Sequence, residues 1–259
     1  MTGVDLGISG RRAAVAGASS GLGLATAAAL AAEGVRVAIC GRDRERIDRA
    51  AVEVAARSSL DDADAVVACV ADVSSPEGAT AFVEEATQRL GGVDILVPNA
   101  GGPPPGTFAT TEMSAYLPAL ELNLLSVVAL CEAAVPPMQA QGWGRVVAIT
   151  SISVRQPIGG LILSNTARAG ATGFLKTLAL EVAADGVTVN SLQPGSHDTD
   201  RLRSLYGGDL SGAAAGTPVG AVGRPEDFGA FAAFLCSDHA RFVTGAAIPI
   251  DGGSYRALL

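Results

Sequence analysis

Short runs rich in Val, Ile and Leu recur along the chain, at Ala13–Ala16, Val35–Cys40, Ala65–Val70, Ile95–Val97, Arg145–Thr150, Val187–Leu192 and Ala246–Ile250. Longer stretches with helical spacing of apolar residues separate them, at Leu22–Glu33, Arg44–Arg57, Glu77–Leu90, Met113–Val135, Leu163–Ala184 and Pro225–Cys236. Apolar strands alternating with helices are the pattern of a parallel sheet covered on both faces. Right-handed crossovers then give a doubly wound α/β fold with a seven-stranded parallel sheet.

Composition narrows the class. No Pro-rich, Gly/Ser-rich or polar stretch separates two cores, so one domain over residues 1–259 is expected. A net charge of -8 argues against a nucleic-acid partner, which needs clustered Lys and Arg to displace counterions. A small-molecule ligand is expected instead. Cys40, Cys69, Cys131 and Cys236 form no CxxC pair and have no His at ligand spacing, so they read as reduced, mostly buried thiols and no metal is expected. The most apolar segment, Leu117–Met138, is interrupted by Glu121, Asn123 and Glu132, which argues against a membrane span. Arg11-Arg12 precedes only a short apolar run, so export is not expected and the cytoplasm is the default location.

Gly17-Ala18-Ser19-Ser20-Gly21-Leu22-Gly23 follows the first strand and opens the first helix. Glycines there let the backbone approach a pyrophosphate, which helix-terminal N–H groups can bind. The placement is that of a Rossmann fold holding a nicotinamide dinucleotide. At the end of the second strand a carboxylate would bind a ribose 2′-hydroxyl, whereas an arginine suits a 2′-phosphate. Gly41-Arg42 stands at that point and favours NADP(H) over NAD(H), although Arg42 also reads as the first residue of a solvated, charged helix.

From these motifs the chain resembles the short-chain dehydrogenase/reductase family, in its β-ketoacyl-carrier-protein reductase-like branch. The resemblance rests on Gly17, Gly21 and Gly23, Asp72-Val73, Asn99-Ala100-Gly101, Asn123, Ser151, Pro194-Gly195 with Thr199, and Asp251-Gly252-Gly253. It implies that Ser19, Ser20 and Leu22 belong to the phosphate turn and that Asp72 and Val73 contact adenine. It also implies that Asn99, Ala100 and Gly101 line the cofactor trough while Pro194, Gly195 and Thr199 meet the nicotinamide end. Ala16 stands where the family usually has Thr, which removes a turn-stabilising hydroxyl. The family often forms dimers and tetramers, and the small residues of Ala167–Gly173 would permit close helix approach, so a homo-oligomer, dimer or homotetramer, is implied.

The catalytic positions depart from the pattern. Counting from Ser151 at the family's spacing reaches Ser164 and Arg168, an SxxxR where the family has YxxxK, and Gly173–Leu178 secures the register. An aliphatic hydroxyl is a far weaker acid than a phenol, and a guanidinium does not release its proton as an ammonium does. Arg168 can still bond ribose hydroxyls. His197, close after Pro194-Gly195, either donates a proton near neutral pH or contributes only its backbone N–H. Tyr206 lies in the Ser196–Thr217 segment, which resembles the family's mobile substrate loop; Tyr116 and Tyr255 are weaker candidates. Ser151 and Asn123 either polarise a carbonyl oxygen or are structural.

Two functions follow. One is an NADP(H)-dependent carbonyl/alcohol oxidoreductase whose proton comes from His197, water or the substrate. The other is a silent or non-redox relative that binds the dinucleotide structurally or as a sensor. The Gly102–Gly106 loop and the Ser196–Thr217 segment would shape a pocket for a compact, mostly apolar substrate.

Overall fold

The strands pair because their side chains alternate between two apolar layers while every one of them runs in the same direction. The computed structural model describes residues 4–62 and 64–258. Its strands are β1 (Arg12–Val15), β2 (Arg36–Gly41), β3 (Val66–Val70), β4 (Ile95–Val97), β5 (Gly144–Ile149), β6 (Val187–Pro194) and β7 (Ala247–Ile250). They form one parallel sheet in the order β3-β2-β1-β4-β5-β6-β7. The helices are α1 (Gly21–Ala32), α2 (Arg44–Ala55), α3 (Pro76–Leu90), α4 (Tyr116–Leu120), α5 (Ser126–Ala140), α6 (Ile162–Val182), α7 (Asp200–Leu205), α8 (Ser211–Ala215) and α9 (Pro225–Leu235).

Ala14 of β1 faces a core with Phe82 of α3, Leu130 and Met138 of α5 and Leu175 of α6. Its neighbours Ala13 and Val15 face the other core, with Leu30 of α1, Ile47 of α2 and Phe228 of α9. Both faces are therefore covered, as a parallel sheet requires. The strand order reverses at β1, between β2 and β4, and ligands of such sheets lie at the carboxyl ends of the strands beside that point.

Helices α1 and α9 pack closely at Gly229. A Cβ built there would lie 2.3 Å from the Ala25 carbonyl oxygen of α1, a backbone atom that cannot rotate away. Gly229→Ala is thus expected to cost about 1–3 kcal/mol through overpacking, and a thermal melt should show it as a Tm lower by about 2–10 °C.

The sequence pattern is displaced in several places. β1 and β5 begin and end one residue earlier than the apolar runs indicate, and β6 continues to Pro194. The expected helix Met113–Val135 is a 3-10 turn (Met113–Ala115), α4, a π-helical turn (Glu121–Leu125) and α5, which runs through Pro136 and Pro137 to Ala140. By length and composition this stretch, Met113–Ala140, is apolar enough to cross a membrane, contrary to the sequence expectation. Half of its most apolar window is buried inside the fold, and a core helix passes the same test. The Ser196–Thr217 segment, expected as a loop, carries α7 and α8. The four cysteines are buried and free, and burial pushes each thiol up to about 12.

At the opposite edge of the sheet from the carboxyl ends, Trp143 immediately precedes β5. Arg11 and Arg145 lie over its ring, 3.8 Å and 4.3 Å from the centroid, and its indole N–H donates to Asp238 at 3.2 Å.

Candidate active site

The glycine turn takes its shape from backbone conformations that side chains disfavour. Gly17 and Gly21 have φ of +57° and +61°. Asn99, just beyond β4, holds the turn by donating its Nδ2 to the carbonyls of Ala16 (3.2 Å) and Gly17 (2.9 Å). A Cβ on Gly23 would sit 2.6 Å from the Gly17 oxygen and 2.8 Å from Asn99 Nδ2, so this glycine is required by packing. With Ala16 lacking a hydroxyl, the Asn99 amide fixes the turn.

Helix α1 starts at Ser20 without a side-chain cap, whereas α2, α3 and α7 are capped by Asp43, Ser75 and Thr199. The first N–H groups of α1 are left for another acceptor, and a phosphate suits them. A cavity of about 650 Å³ opens to one side, lined by Ser19, Gly41, Arg42, Asp72, Val73 and Ala100. A second of about 310 Å³ opens to the other, lined by Leu22, Asn99, Ser151, Ser164, Arg168 and His197. Both share Gly17, Ser20, Ala100, Gly101 and Gly102, so they meet over the turn. A Cβ on Gly101 would meet nothing within 4 Å, which leaves the floor of the trough open. The residues present fit a dinucleotide.

At the outer end, Asp72 accepts the Ser74 N–H at 3.0 Å and Val73 is buried. Arg42 shares this wall with Arg46, four residues on, a residue outside the sequence-based set of candidates. Among the described residues neither makes an ion pair, while Arg44 between them points to Asp48. The available signal was the i,i+4 spacing of Arg42 and Arg46.

At the inner end, Ser164 and Arg168 lie one turn apart on α6. Ser164 is buried at the cavity wall. Arg168 donates Nη1 to the carbonyls of Ile149 and Thr150, each at 3.1 Å, and Nη2 to those of Ala100 (3.3 Å) and Gly101 (3.4 Å). It thereby ties the end of β5 to the trough floor. Burial, helped by the charge of Arg201, pushes this guanidinium down to about 10. Ser151 accepts the Ser153 N–H at 3.1 Å, so its own hydroxyl proton remains available to a ligand. Asn123 sits in the π-helical turn and donates to Gly101 at 2.9 Å, while its Oδ1 is buried with no hydrogen-bond partner among the described residues.

Pro194, Gly195 and Thr199 close the far side. Thr199 Oγ1 is spent on capping α7, accepting the Leu202 N–H at 3.3 Å. His197 is buried with its ring edge-on to Phe228, 5.3 Å between centroids, and Gly223 leaves room for it: a Cβ there would meet Nε2 at 2.7 Å. Nδ1 lies 3.3 Å from the Gly195 carbonyl. A carbonyl only accepts, so Nδ1 carries the proton, and burial holds the imidazole below its ordinary pKa. The ring forms the wall between the inner cavity and a separate one of about 270 Å³.

None of the three tyrosines lines either part of the trough. Tyr206 is exposed at the end of α7, and Tyr255 lies near Arg155. The chain's one lysine, Lys176, donates to the Gly245 carbonyl at 3.0 Å. A phenol beside an ammonium is therefore absent from the lining of the inner cavity.

Comparison with known proteins agrees with this geometry. Residues 17–255 match the family described as enoyl-(acyl carrier protein) reductase. The 3-oxoacyl-[acyl-carrier-protein] reductase FabG of Vibrio cholerae is 32% identical over 251 residues, covering 96% of this chain and 99% of the relative. The crystal structure of L-sorbose reductase from Gluconobacter frateurii, complexed with NADPH and L-sorbose, superposes with a TM-score of 0.90 at 34% identity, covering 98% of this chain and 100% of that one. A 7α-hydroxysteroid dehydrogenase complexed with NADH gives 0.89 at 28% identity, with 98% of each chain covered. The chain belongs to the short-chain dehydrogenase/reductase family.

Proposed function

We propose that the protein is an NADP(H)-dependent oxidoreductase interconverting a carbonyl and an alcohol, with a proton source other than tyrosine. The observation that carries the reading is one trough joining two unpaired arginines at its outer end to Ser151, Ser164 and Arg168 at its inner end. A bound nicotinamide cofactor supplies hydride to the carbonyl carbon during reduction. The oxygen then takes the π pair and a proton. Ser151, with its O–H free, donates a hydrogen bond to that oxygen, and the Arg168 guanidinium lowers the energy of the negative charge developing there. Burial disfavours the charged form of His197 and its Nε2 faces Gly223, which supports water in the open cavity as the proton source.

Purified protein is expected to oxidise NADPH when offered a panel of ketones, aldehydes and keto acids. Tight NADPH binding with no turnover on the whole panel would sink the reading. That second outcome is what a silent or non-redox relative gives, a reading favoured by the absence of any tyrosine or lysine from the cavity lining.

The preference for the phosphorylated cofactor rests on Arg42 and Arg46. Charge-assisted bonds to a phosphate are worth roughly tenfold or more in affinity each. Arg42→Ala and Arg46→Ala are therefore each expected to weaken NADPH binding roughly tenfold while leaving NADH within about twofold. Equal effects on both cofactors, read by fluorescence titration, would remove the case for NADP(H). The same reading includes a cytoplasmic homo-oligomer, dimer or tetramer, which light scattering of the purified protein checks.

A further inference from the structure

Seven arginines of the described residues meet carboxylates: Arg12 with Asp94, Arg36 with Asp62, Arg44 with Asp48, Arg89 with Glu85, Arg145 with Asp238, Arg203 with Asp198 and Arg224 with Glu226 and Asp227. The two that line the inner cavity do not. Among the described residues Arg168 meets only backbone carbonyls, and Arg201 of α7 has a single bond of 3.4 Å, to the Pro103 carbonyl. Arg201 lies across Gly102, where a Cβ would come within 2.5 Å of its guanidinium, so this glycine lets the side chain reach over the trough from α7 to the loop after β4. The two cations are close enough for the charge of Arg201 to act against that of Arg168. Asp200 is the one carboxylate on the cavity wall, and it pairs with neither.

Two like charges held near each other without a counter-ion are unfavourable; here Arg168 is half-buried, while Arg201 stays exposed and open to a ligand. In a chain of net charge -8, carboxylates are not scarce. An arrangement of this kind is stabilised when a ligand brings the negative charge, and an arginine with unused donors in its planar fork matches a carboxylate in bidentate fashion. The donors of Arg168 are largely spent on the four carbonyls, so it contributes field while Arg201 contributes contact. Both line the cavity of Ser151 and Ser164, and neither lines the outer cavity of Arg42. On the oxidoreductase reading, the uncapped N–H groups at the start of α1 suit the cofactor's phosphates. The unmatched positive charge is thus on the substrate side.

Building on the oxidoreductase reading above, we infer that the substrate is a compact carbonyl compound bearing a carboxylate, a keto acid, whose anionic group is held by Arg201 with Arg168 behind it. This alters the mostly apolar substrate expected from the sequence. Arg201 is assigned as a specificity-determining residue.

The test compares acetoacetate and phenylpyruvate with their methyl esters in NADPH-dependent reduction by the natural protein and by Arg201→Gln and Arg201→Lys. Loss of a charge-assisted bond is worth roughly 10- to 100-fold. The natural protein is expected to prefer acid over ester in kcat/KM by that factor. In Arg201→Gln the preference collapses toward one, chiefly through KM, and Arg201→Lys restores part of it. An acid-to-ester ratio unchanged by Arg201→Gln overturns the assignment. So does a loss confined to NADPH affinity, which would place Arg201 on the cofactor's diphosphate. If no carbonyl turns over, calorimetric titration of phenylpyruvate into the NADP-loaded protein decides separately. Binding that Arg201→Gln abolishes keeps the anion site while the redox reading fails; no binding to the natural protein overturns both.

Discussion

Replacing Ser164 by tyrosine together with Arg168 by lysine is expected to raise the rate of NADPH-dependent carbonyl reduction by roughly 10²- to 10⁴-fold, the usual worth of a positioned general acid. Ser164 is on the wall of a cavity of about 310 Å³, so a longer side chain enters open space instead of the helix packing. The phenol, with an ordinary pKa of about 10, is brought within reach of proton transfer by a neighbouring ammonium. Arg168 plays that second part poorly even with burial lowering its pKa to about 10, because its donors are committed to four backbone carbonyls. Ser164→Tyr alone should therefore gain less than the pair. Lysine keeps fewer of the bonds Arg168 makes to the carbonyls of Ile149, Thr150, Ala100 and Gly101, so a lower Tm is expected alongside the gain in rate. If the double variant binds NADPH normally and shows no gain on any substrate the natural protein reduces, proton supply is not what limits this site.

Gly23→Ala is expected to cost about 2–5 kcal/mol of stability and to remove measurable cofactor binding. The methyl group would press on the Gly17 oxygen and on Asn99 Nδ2, and both are already fixed by the bond between them. Moving either atom breaks the amide clamp that shapes the turn. Denaturant unfolding and NADPH titration read the two effects separately. A variant of natural stability that binds NADPH unchanged would show that the turn yields more readily than its contacts indicate.

The sheet was legible in the chain because strands buried on both faces leave continuous apolar runs, as in β4 and β5, and the helices between them carry their own periodicity. Boundaries were less legible: nothing in Ala13–Ala16 shows that hydrogen bonding begins at Arg12 and that Ala16 already belongs to the turn. The π-helical turn at Asn123 left no trace, since an extra residue per turn changes the backbone while the apolar pattern continues. The expected end at Val135 is passed by α5, which runs on through Pro136 and Pro137 while packing against α3 and α6. At the site, the glycines and Asn99 could be placed because close backbone approach restricts residue type. Arg46 and Arg201 could not, because an arginine in a charged helix start or a surface segment looks like any solvated arginine until the fold shows what it faces.

The contact of the Trp143 ring with two guanidinium groups gives the molecule a native chromophore in a defined place. It is the chain's sole tryptophan, and it precedes β5, whose far end carries Ser151. A strand of that length separates them by roughly 20 Å. Its emission reports loosening at the foot of the sheet, while the fluorescence of a reduced nicotinamide reports events at the mouth. A single sample thus yields two optical records, one of unfolding and one of occupancy, from groups at opposite ends of the same strand.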